Sequence, residues 1–205
     1  SFIYAVDVSE EHLLHQAIQR HIKKIGIPDI VIANAGVSTG TVNGEREDLV
    51  TFKRMMDINL YGVMHTFLPF IHAFKKRKSG QLVGIASVAG IRGLPGSGAY
   101  SASKAALINY LESLRIEMLP FNIQVTTIAP GYIKTPMTHS NPYAMPFILE
   151  VDKAVTLFIK AIDQKKKFII IPWQMNIVGK LMRLLPASVW DFLAKRGPKK
   201  LRAMI

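Results

Sequence analysis

Short, strongly apolar runs alternate along this chain with longer segments of helical periodicity, and this alternation constrains the fold more than any other feature. The runs cover residues 2–6, 29–33, 82–86, 123–129 and 168–171. Between them, apolar residues recur at three- and four-residue spacing over residues 9–25, 47–78, 100–119 and 151–162. Strand–helix alternation of this kind is typical of a doubly wound α/β fold with a parallel sheet. The sequence predicts such a sheet, with five strands.

Composition narrows the classes of protein that the chain can represent. Its 205 residues are 49% hydrophobic and include no cysteine, which suits one sizeable core and excludes disulfides and thiolate chemistry. We see no signal peptide and no spanning segment, and we expect a cytoplasmic protein. His12 and His15 share a helix face, but no third ligand has a recognisable spacing, so no metal site is expected.

Ser87, Tyr100 and Lys104 are spaced in a way that has chemical consequences. On a helix, Tyr100 and Lys104 lie one turn apart on the same face. A nearby cation favours the phenolate and lowers a phenol pKa that is otherwise near ~10, and Ser87 ends an apolar run from which it can reach the same substrate oxygen. A Tyr-x-x-x-Lys pair alone is more often a surface pair. Together the three residues predict a site for carbonyl or alcohol chemistry.

Three further motifs accompany this trio: Asn59, the triplet Asn34-Ala35-Gly36, and the segment Pro130-Gly131-Tyr-Ile133-Lys-Thr135. With them the chain resembles the short-chain dehydrogenase/reductase family. The resemblance implies a Rossmann-type core over residues 1–173 that lacks the first two strand–helix units, about 60 residues that include the glycine-rich cofactor loop. Because those strands lie between the first two seen here in the family order 3-2-1-4-5-6-7, this part alone is not expected to form a stable sheet.

The resemblance also implies a role for each residue that matches a family motif. Asn59, Ser87, Tyr100 and Lys104 form a catalytic tetrad, in which Asn59 holds a water that relays protons to Lys104. The implied cofactor is NADP or NAD, and of the two we prefer NADPH. The residues in contact with it would be Asp7, Val8, Asn34, Ala35, Gly36, Tyr100, Lys104, Pro130, Gly131, Ile133 and Thr135. From the residues alone, Asp7 fits an Asx turn before a helix that Ser9 caps. Asn59 alone fits a buried amide bound to a backbone carbonyl.

These observations predict an NAD(P)-dependent oxidoreductase that reduces an apolar ketone. The apolar segment 136–149, which holds Met137, Tyr143 and Phe147, occupies the place of the family's substrate lid. We expect a homo-oligomer, dimer or tetramer, and no binding to nucleic acid, because the basic end has no recognisable reading motif. The alternative is a non-catalytic Rossmann module that binds a membrane surface or a protein partner.

Residues 174–205 form a basic, amphipathic extension beyond the predicted core. The net charge of the chain is +12, and residues 151–205 carry twelve Lys and Arg against three acidic residues. The extension has two apolar groups at helical spacing, namely Ile177, Val178, Leu181, Leu184 and Leu185, and then Val189, Trp190, Phe192 and Leu193. Such helices can contact an anionic membrane through residues 176–196, but packing on the domain or on a second subunit is favoured.

Overall fold

Four parallel strands form the single sheet of the computed structural model, which describes residues 1–139, 141–197 and 199–202. The strands are β1 (Ile30–Ala33), β2 (Gly80–Ile85), β3 (Ile123–Pro130) and β4 (Phe168–Ile171), and they lie side by side in chain order. Leu82 is opposite both Val31 and Val125, and Ile128 is opposite Ile169. The predicted doubly wound α/β fold is confirmed.

Helices connect the strands as crossovers, as parallel pairing requires. Most boundaries agree with the apolar periodicity to within one or two residues. The helices are α1 (Glu11–Ile25), α2 (Asp48–Met56), α3 (Gly62–Arg77), α4 (Gly98–Met118), α5 (Pro136–His139), α6 (Val151–Asp163), α7 (Trp173–Leu184) and α8 (Ala187–Ala194).

The core lies on both faces of the sheet. One face packs against α3, α4 and α7 through a cluster that includes Phe67, Leu82, Leu111 and Met175. The other face packs against α6 through a smaller cluster centred on Val83 and Ile128. Adjacent residues of a strand thus enter opposite clusters, because successive side chains of a strand point to opposite faces. Apolar residues on two faces explain why the strands read as continuous apolar runs.

The predicted strand at residues 2–6 is wrong. No strand of the described residues pairs with this segment, and a lone extended run has no ladder of hydrogen bonds to hold it as a strand. Phe2 and Tyr4 instead pack edge-on against His21 of α1, with Lys24 above the Phe2 ring. The sheet therefore has four strands. That it is not stable on its own stays a prediction.

The long helix expected over residues 47–78 is present but interrupted in its hydrogen bonding. A π-helical segment, Asp57–Tyr61, joins α2 to α3 without a break in the chain direction. Such a segment widens one turn and is frequent at functional sites. It contains Asn59, which is completely buried. Pro69 lies inside α3.

The C-terminal extension partly packs on the domain. Met175 of α7 is buried in the core, and Val178 and Met182 pack against it. The opposite side of α7 is open, since Trp173, Ile177, Leu181 and Leu184 are all more than half exposed. No helix in the described part of the chain has the length and apolarity to cross a membrane. The division into residues 1–173 and 174–205 stays a prediction.

Candidate active site

Ser87 lies just beyond the carboxyl end of β2, the end at which parallel sheets bind ligands. It precedes a short 3₁₀ turn, Val88–Gly90, and its Oγ accepts a hydrogen bond of 3.2 Å from the Ala89 N–H. The residue is buried. The turn thus fixes the Ser87 hydroxyl at the edge of the sheet.

Tyr100 occupies the first turn of α4, and its hydroxyl lies near enough to the Ser87 hydroxyl for Ser87 to lower the pKa of Tyr100. The Tyr100 side chain is partly exposed, but protein atoms surround its hydroxyl. This burial raises the pKa of Tyr100, and the nearby Ser87 hydroxyl lowers that pKa by a smaller amount. The expected lowering of this pKa by Lys104 is not observed. The phenol is therefore protonated at neutral pH.

Lys104 follows one helical turn after Tyr100, and it is only 4% exposed. Its Nζ donates to the Ile85 carbonyl at 2.8 Å and lies 6.0 Å from the centroid of the Tyr100 ring. Burial lowers the pKa of Lys104 to about 8, because removing an ammonium from water disfavours its charged form. The Lys104 ammonium has three N–H donors, and the Ile85 carbonyl accepts from one of them. Its other donors can bind hydroxyl groups of a ligand.

Asn59 connects the π-helical segment to the loop after β1 and to α4. Its Oδ1 accepts the Val37 N–H at 2.8 Å, and its Nδ2 donates to the Val37 carbonyl at 2.9 Å and to Ser103 Oγ at 3.0 Å. Both N–H bonds of the amide are thus satisfied by protein, as in the simpler interpretation of a buried amide. The water relay through Asn59 stays a prediction.

Ser103 is the member of this network that the sequence analysis missed. It is completely buried, and its hydroxyl donates to the Tyr100 carbonyl at 2.9 Å while it accepts from Asn59. The chain Val37–Asn59–Ser103–Tyr100 therefore ties the loop after β1 to the first turn of α4. The only available signal was its position three residues after Tyr100, one turn along the helix.

Gly36 marks a close approach of backbone to the buried lysine. A Cβ atom at this position would lie 3.2 Å from Asn59 Oδ1 and 3.5 Å from Lys104 Nζ, so a side chain would fill the space beside the ammonium. Nearby, Asn34 and Ala35 line a mainly apolar cavity of about 370 Å³ together with Val8. Three residues predicted to bind the cofactor thus line one cavity, and Gly36 leaves room beside Lys104. Their contact with a cofactor stays a prediction.

Asp7 adopts the simpler of its two predicted arrangements. Its Oδ1 accepts from the Ser9 N–H at 2.9 Å and from the Ser9 hydroxyl at 2.8 Å, and its Oδ2 pairs with Arg54 at 2.6 Å. The hydrogen bonds to Ser9 and the Arg54 guanidinium lower the pKa of Asp7 to about 2. Ser9 therefore does not cap α1, whose N-cap is Glu10. A contact of Asp7 with a cofactor stays a prediction.

The segment from Pro130 to Thr135 leads from β3 into the predicted lid. The Gly131 N–H donates to the Ile171 carbonyl at 2.8 Å, and Ile133 pairs with Leu149 in an isolated parallel bridge. Thr135 donates its N–H to Thr138 Oγ1 at 3.0 Å. The two ends of residues 133–149 are therefore fastened together next to the sheet. Their predicted contacts with a nicotinamide stay predictions.

Together these groups can perform proton transfer at a carbonyl oxygen. The protonated phenol of Tyr100 and the hydroxyl of Ser87 lie near one another, and the ammonium of Lys104 is buried one helical turn further along α4. The described residues include no cluster of three His, Asp or Glu side chains placed to hold a metal ion. A protonated phenol can act as a general acid, and catalysis by Tyr100 stays a prediction.

Comparison with known proteins agrees with this geometry. A sequence family described as short chain dehydrogenase matches residues 1–145. An uncharacterized oxidoreductase of Myxococcus xanthus is 36% identical over 191 residues, which are 93% of this chain and 75% of that protein. The 3-oxoacyl-[acyl-carrier-protein] reductase FabG of Thermotoga maritima is 31% identical over 141 residues, 68% of this chain and 56% of the relative.

Among solved structures, a 4-hydroxyisoleucine dehydrogenase complexed with NADH is 27% identical with a TM-score of 0.70, and the match covers 82% of this chain and 78% of that one. The chain therefore spans three quarters of the Myxococcus protein but little more than half of the Thermotoga reductase.

Proposed function

Because the chain belongs to the short-chain dehydrogenase family, we propose that the protein is an NAD(P)-dependent oxidoreductase that reduces a ketone group on an apolar substrate. The observation that carries the proposal is the position of Ser87 near the Tyr100 hydroxyl, with buried Lys104 one turn further along α4 and its Nζ 6.0 Å from the centroid of the Tyr100 ring. The relatives give no support to the alternative of a non-catalytic module.

The residues that would hold the cofactor are those already brought together at the sheet edge. Lys104 has donors for the ribose hydroxyls, Gly36 leaves space for them, and Val8, Asn34 and Ala35 line the neighbouring cavity. Ile133 and Thr135 would contact the nicotinamide carboxamide. When bound, a nicotinamide cofactor supplies the hydride that the protein side chains cannot provide. NADPH is the cofactor we test first.

The side chains of this chain would carry the proton and position the substrate. Ser87 Oγ would donate a hydrogen bond to the carbonyl oxygen, and Tyr100 Oη would give its proton to that oxygen as negative charge develops there. Burial keeps Tyr100 protonated, as a general acid must be. Asn59 and Ser103 would hold the Tyr100 turn in register with the loop after β1. In the oxidation direction, Tyr100 would accept the proton.

Apolar side chains around the predicted lid support an apolar substrate. Within this lid, the side chains of Met137, Phe147 and Ile148 are each between 39% and 48% exposed. The last residue of the lid, Leu149, is buried in the core. Exposed large apolar side chains next to a polar site are typical of a cleft that binds an apolar ligand. The lid would thus cover the part of the substrate that does not react.

The experiment that tests the proposal measures cofactor binding and turnover in the protein expressed from its full gene. NADPH and NADH are each added in a thermal-shift assay, because a ligand that binds only the folded state raises the melting temperature. Oxidation of the stabilising cofactor is then followed with medium-chain ketones such as 2-octanone. Stabilisation together with ketone-dependent oxidation is expected. Cooperative melting without a shift from either cofactor would contradict the proposal.

A second candidate function, contact with an anionic membrane surface, is favoured by the open side of α7. Ile177, Leu181 and Leu184 are exposed along it, and Lys180 and Arg183 are exposed on the same helix. Exposed apolar residues flanked by basic ones suit binding at an anionic lipid interface.

Removal of residues 174–205 would also delete buried Met175, so a surface variant is the better test. Leu181→Asp combined with Leu184→Asp should abolish flotation with phosphatidylglycerol vesicles, whereas Val155→Asp, at an exposed position of α6, should not. Unchanged flotation of the α7 variant, or no flotation of the parent protein, would exclude this function. The homo-oligomeric state stays a prediction that light scattering can measure.

A further inference from the structure

Residues 199–202, which we name the C-terminal strap, lie along the loop that follows β1. Gly40 donates its N–H to the Leu201 carbonyl at 2.8 Å and pairs in parallel with Arg202. Arg202 in turn forms an ion pair of 2.9 Å with Asp48. A Cβ atom at Gly40 would lie 2.3 Å from the Lys200 carbonyl oxygen, so the backbones meet too closely for any side chain at that position. The strap is therefore held without the Lys200 side chain.

The loop beneath the strap borders the candidate active site. Ser38 is two residues from Gly36, so at most about 7 Å separates their Cα atoms, and Gly36 lies beside Lys104. On its other side, the loop braces the start of α4. The Thr41 N–H donates to the Gly96 carbonyl at 3.1 Å, and Thr41 Oγ1 accepts from the Ala99 N–H at 3.2 Å. Ala99 directly precedes Tyr100. The strap thus contacts the loop after β1 and, through Lys199 beside Gly96, the loop that precedes α4.

Lys200 is the basic residue of the strap whose ammonium contacts the loop after β1. Its Nζ donates to Ser38 Oγ at 2.9 Å, and burial lowers the pKa of the ammonium. None of the ion pairs within the described residues includes Lys200, whereas Arg202 has Asp48. An ammonium has three donors, and a partly buried cation needs an opposite charge more than an exposed one does. Within the part of the chain that the structure describes, the Lys200 ammonium contacts the neutral Ser38 hydroxyl and no carboxylate.

We propose that Lys200 binds an anionic group, a carboxylate or a phosphate, on the substrate of the reaction assigned above. The proposal rests on that proposed function. The apolar part of the substrate would lie under the lid, its ketone at Ser87 and Tyr100, and its acidic end at Lys200 and Ser38. Lys200 would then determine specificity, while Tyr100 performs the chemistry. Charge-assisted hydrogen bonds of this kind are strong and select against neutral analogues.

The test measures binding of three probes by calorimetry: sodium octanoate, octyl phosphate and neutral octanamide, with and without saturating NADPH. The parent protein from the full gene should bind one of the two anions about tenfold more tightly than octanamide. In Lys200→Met this preference should disappear, and in Lys200→Arg it should remain. Lys199→Met is the matched control, because Lys199 is an exposed neighbour in the same strap. Octanoate and octyl phosphate distinguish the two anionic groups.

Equal affinity for all three probes in the parent protein would overturn the proposal, as would an unchanged preference in Lys200→Met. If Lys199→Met loses the preference as fully as Lys200→Met, the strap acts only through its overall charge, and the proposal fails. The ketone reduction can fail separately: in that case NADPH does not bind or is not oxidised, although the preference for the anionic probe persists. The two proposals are thus distinguishable in one set of samples.

Discussion

Replacing the buried ammonium of Lys104 by an apolar side chain of similar length should stabilise the protein while it abolishes activity. Burial lowers the pKa of Lys104 from 10.5 to about 8, so at pH 7 the folded state carries a charge that it disfavours. A shift of this size corresponds to about 3 kcal/mol. Lys104→Met removes that penalty but also the hydrogen bond to the Ile85 carbonyl, which contributes about 1–2 kcal/mol. We therefore expect a net gain of about 1–2 kcal/mol at pH 7.

The pH dependence gives this prediction its sign. Because the folded-state pKa lies below the unfolded one, the penalty is complete below about pH 8 and disappears as the pH rises toward 10.5. Between pH 7 and pH 9.5, the free energy of unfolding of the parent protein should therefore rise by about 2 kcal/mol relative to that of Lys104→Met. Urea unfolding at both pH values measures the difference, and Lys160→Met, at an exposed position of α6, is the control. A less stable Lys104→Met at pH 7, or a difference that does not change with pH, would refute the reasoning.

Three further predictions follow from the same network. Asn59→Ala should lower the free energy of unfolding, measured with urea, by about 2–3 kcal/mol, because the N–H and the carbonyl of Val37 both lose their hydrogen bonds to Asn59. A smaller loss than that caused by Asn122→Ala, at an exposed turn, would contradict this prediction. Ketone reduction should decrease above about pH 8 as Lys104 loses its proton, and a rate constant to pH 10 would argue against its charge. Gly36→Ala should weaken NADPH binding in calorimetry because its Cβ would fill the space beside Lys104 and press against Asn59 Oδ1, and unchanged affinity would remove Gly36 from the cofactor site.

Apolar periodicity predicted the four paired strands and the main helices well, because each is buried on the side that the pattern indicates. The residues 2–6 have the same composition as a strand but pair with nothing in the described chain. Strand formation depends on a neighbour, which a local pattern does not reveal. The π-helical segment at Asp57–Tyr61 was also invisible, since it changes hydrogen bonding without changing which residues are apolar.

Motif spacing predicted which residues form the site, but it did not predict the surroundings of those residues. The structure brings Ser87, Tyr100 and Lys104 together, but the directions of their pKa shifts depend on burial, and burial reversed the expectation for Tyr100. The strap contact between Lys200 and Ser38 joins residues 162 positions apart. No local pattern predicts such a contact. Ser103, by contrast, could have been found from its place on the Tyr100 side of α4.

In the proposed reaction, Tyr100 supplies the proton to the substrate oxygen. The most direct measurement compares Tyr100→Phe with Tyr110→Phe, a partly buried tyrosine of the same helix, by following NADPH oxidation with a ketone and NADPH binding by calorimetry. We expect Tyr100→Phe to lose at least about a hundredfold in turnover and to retain NADPH affinity, whereas Tyr110→Phe should keep both. Turnover by Tyr100→Phe at the rate of the parent protein would contradict it.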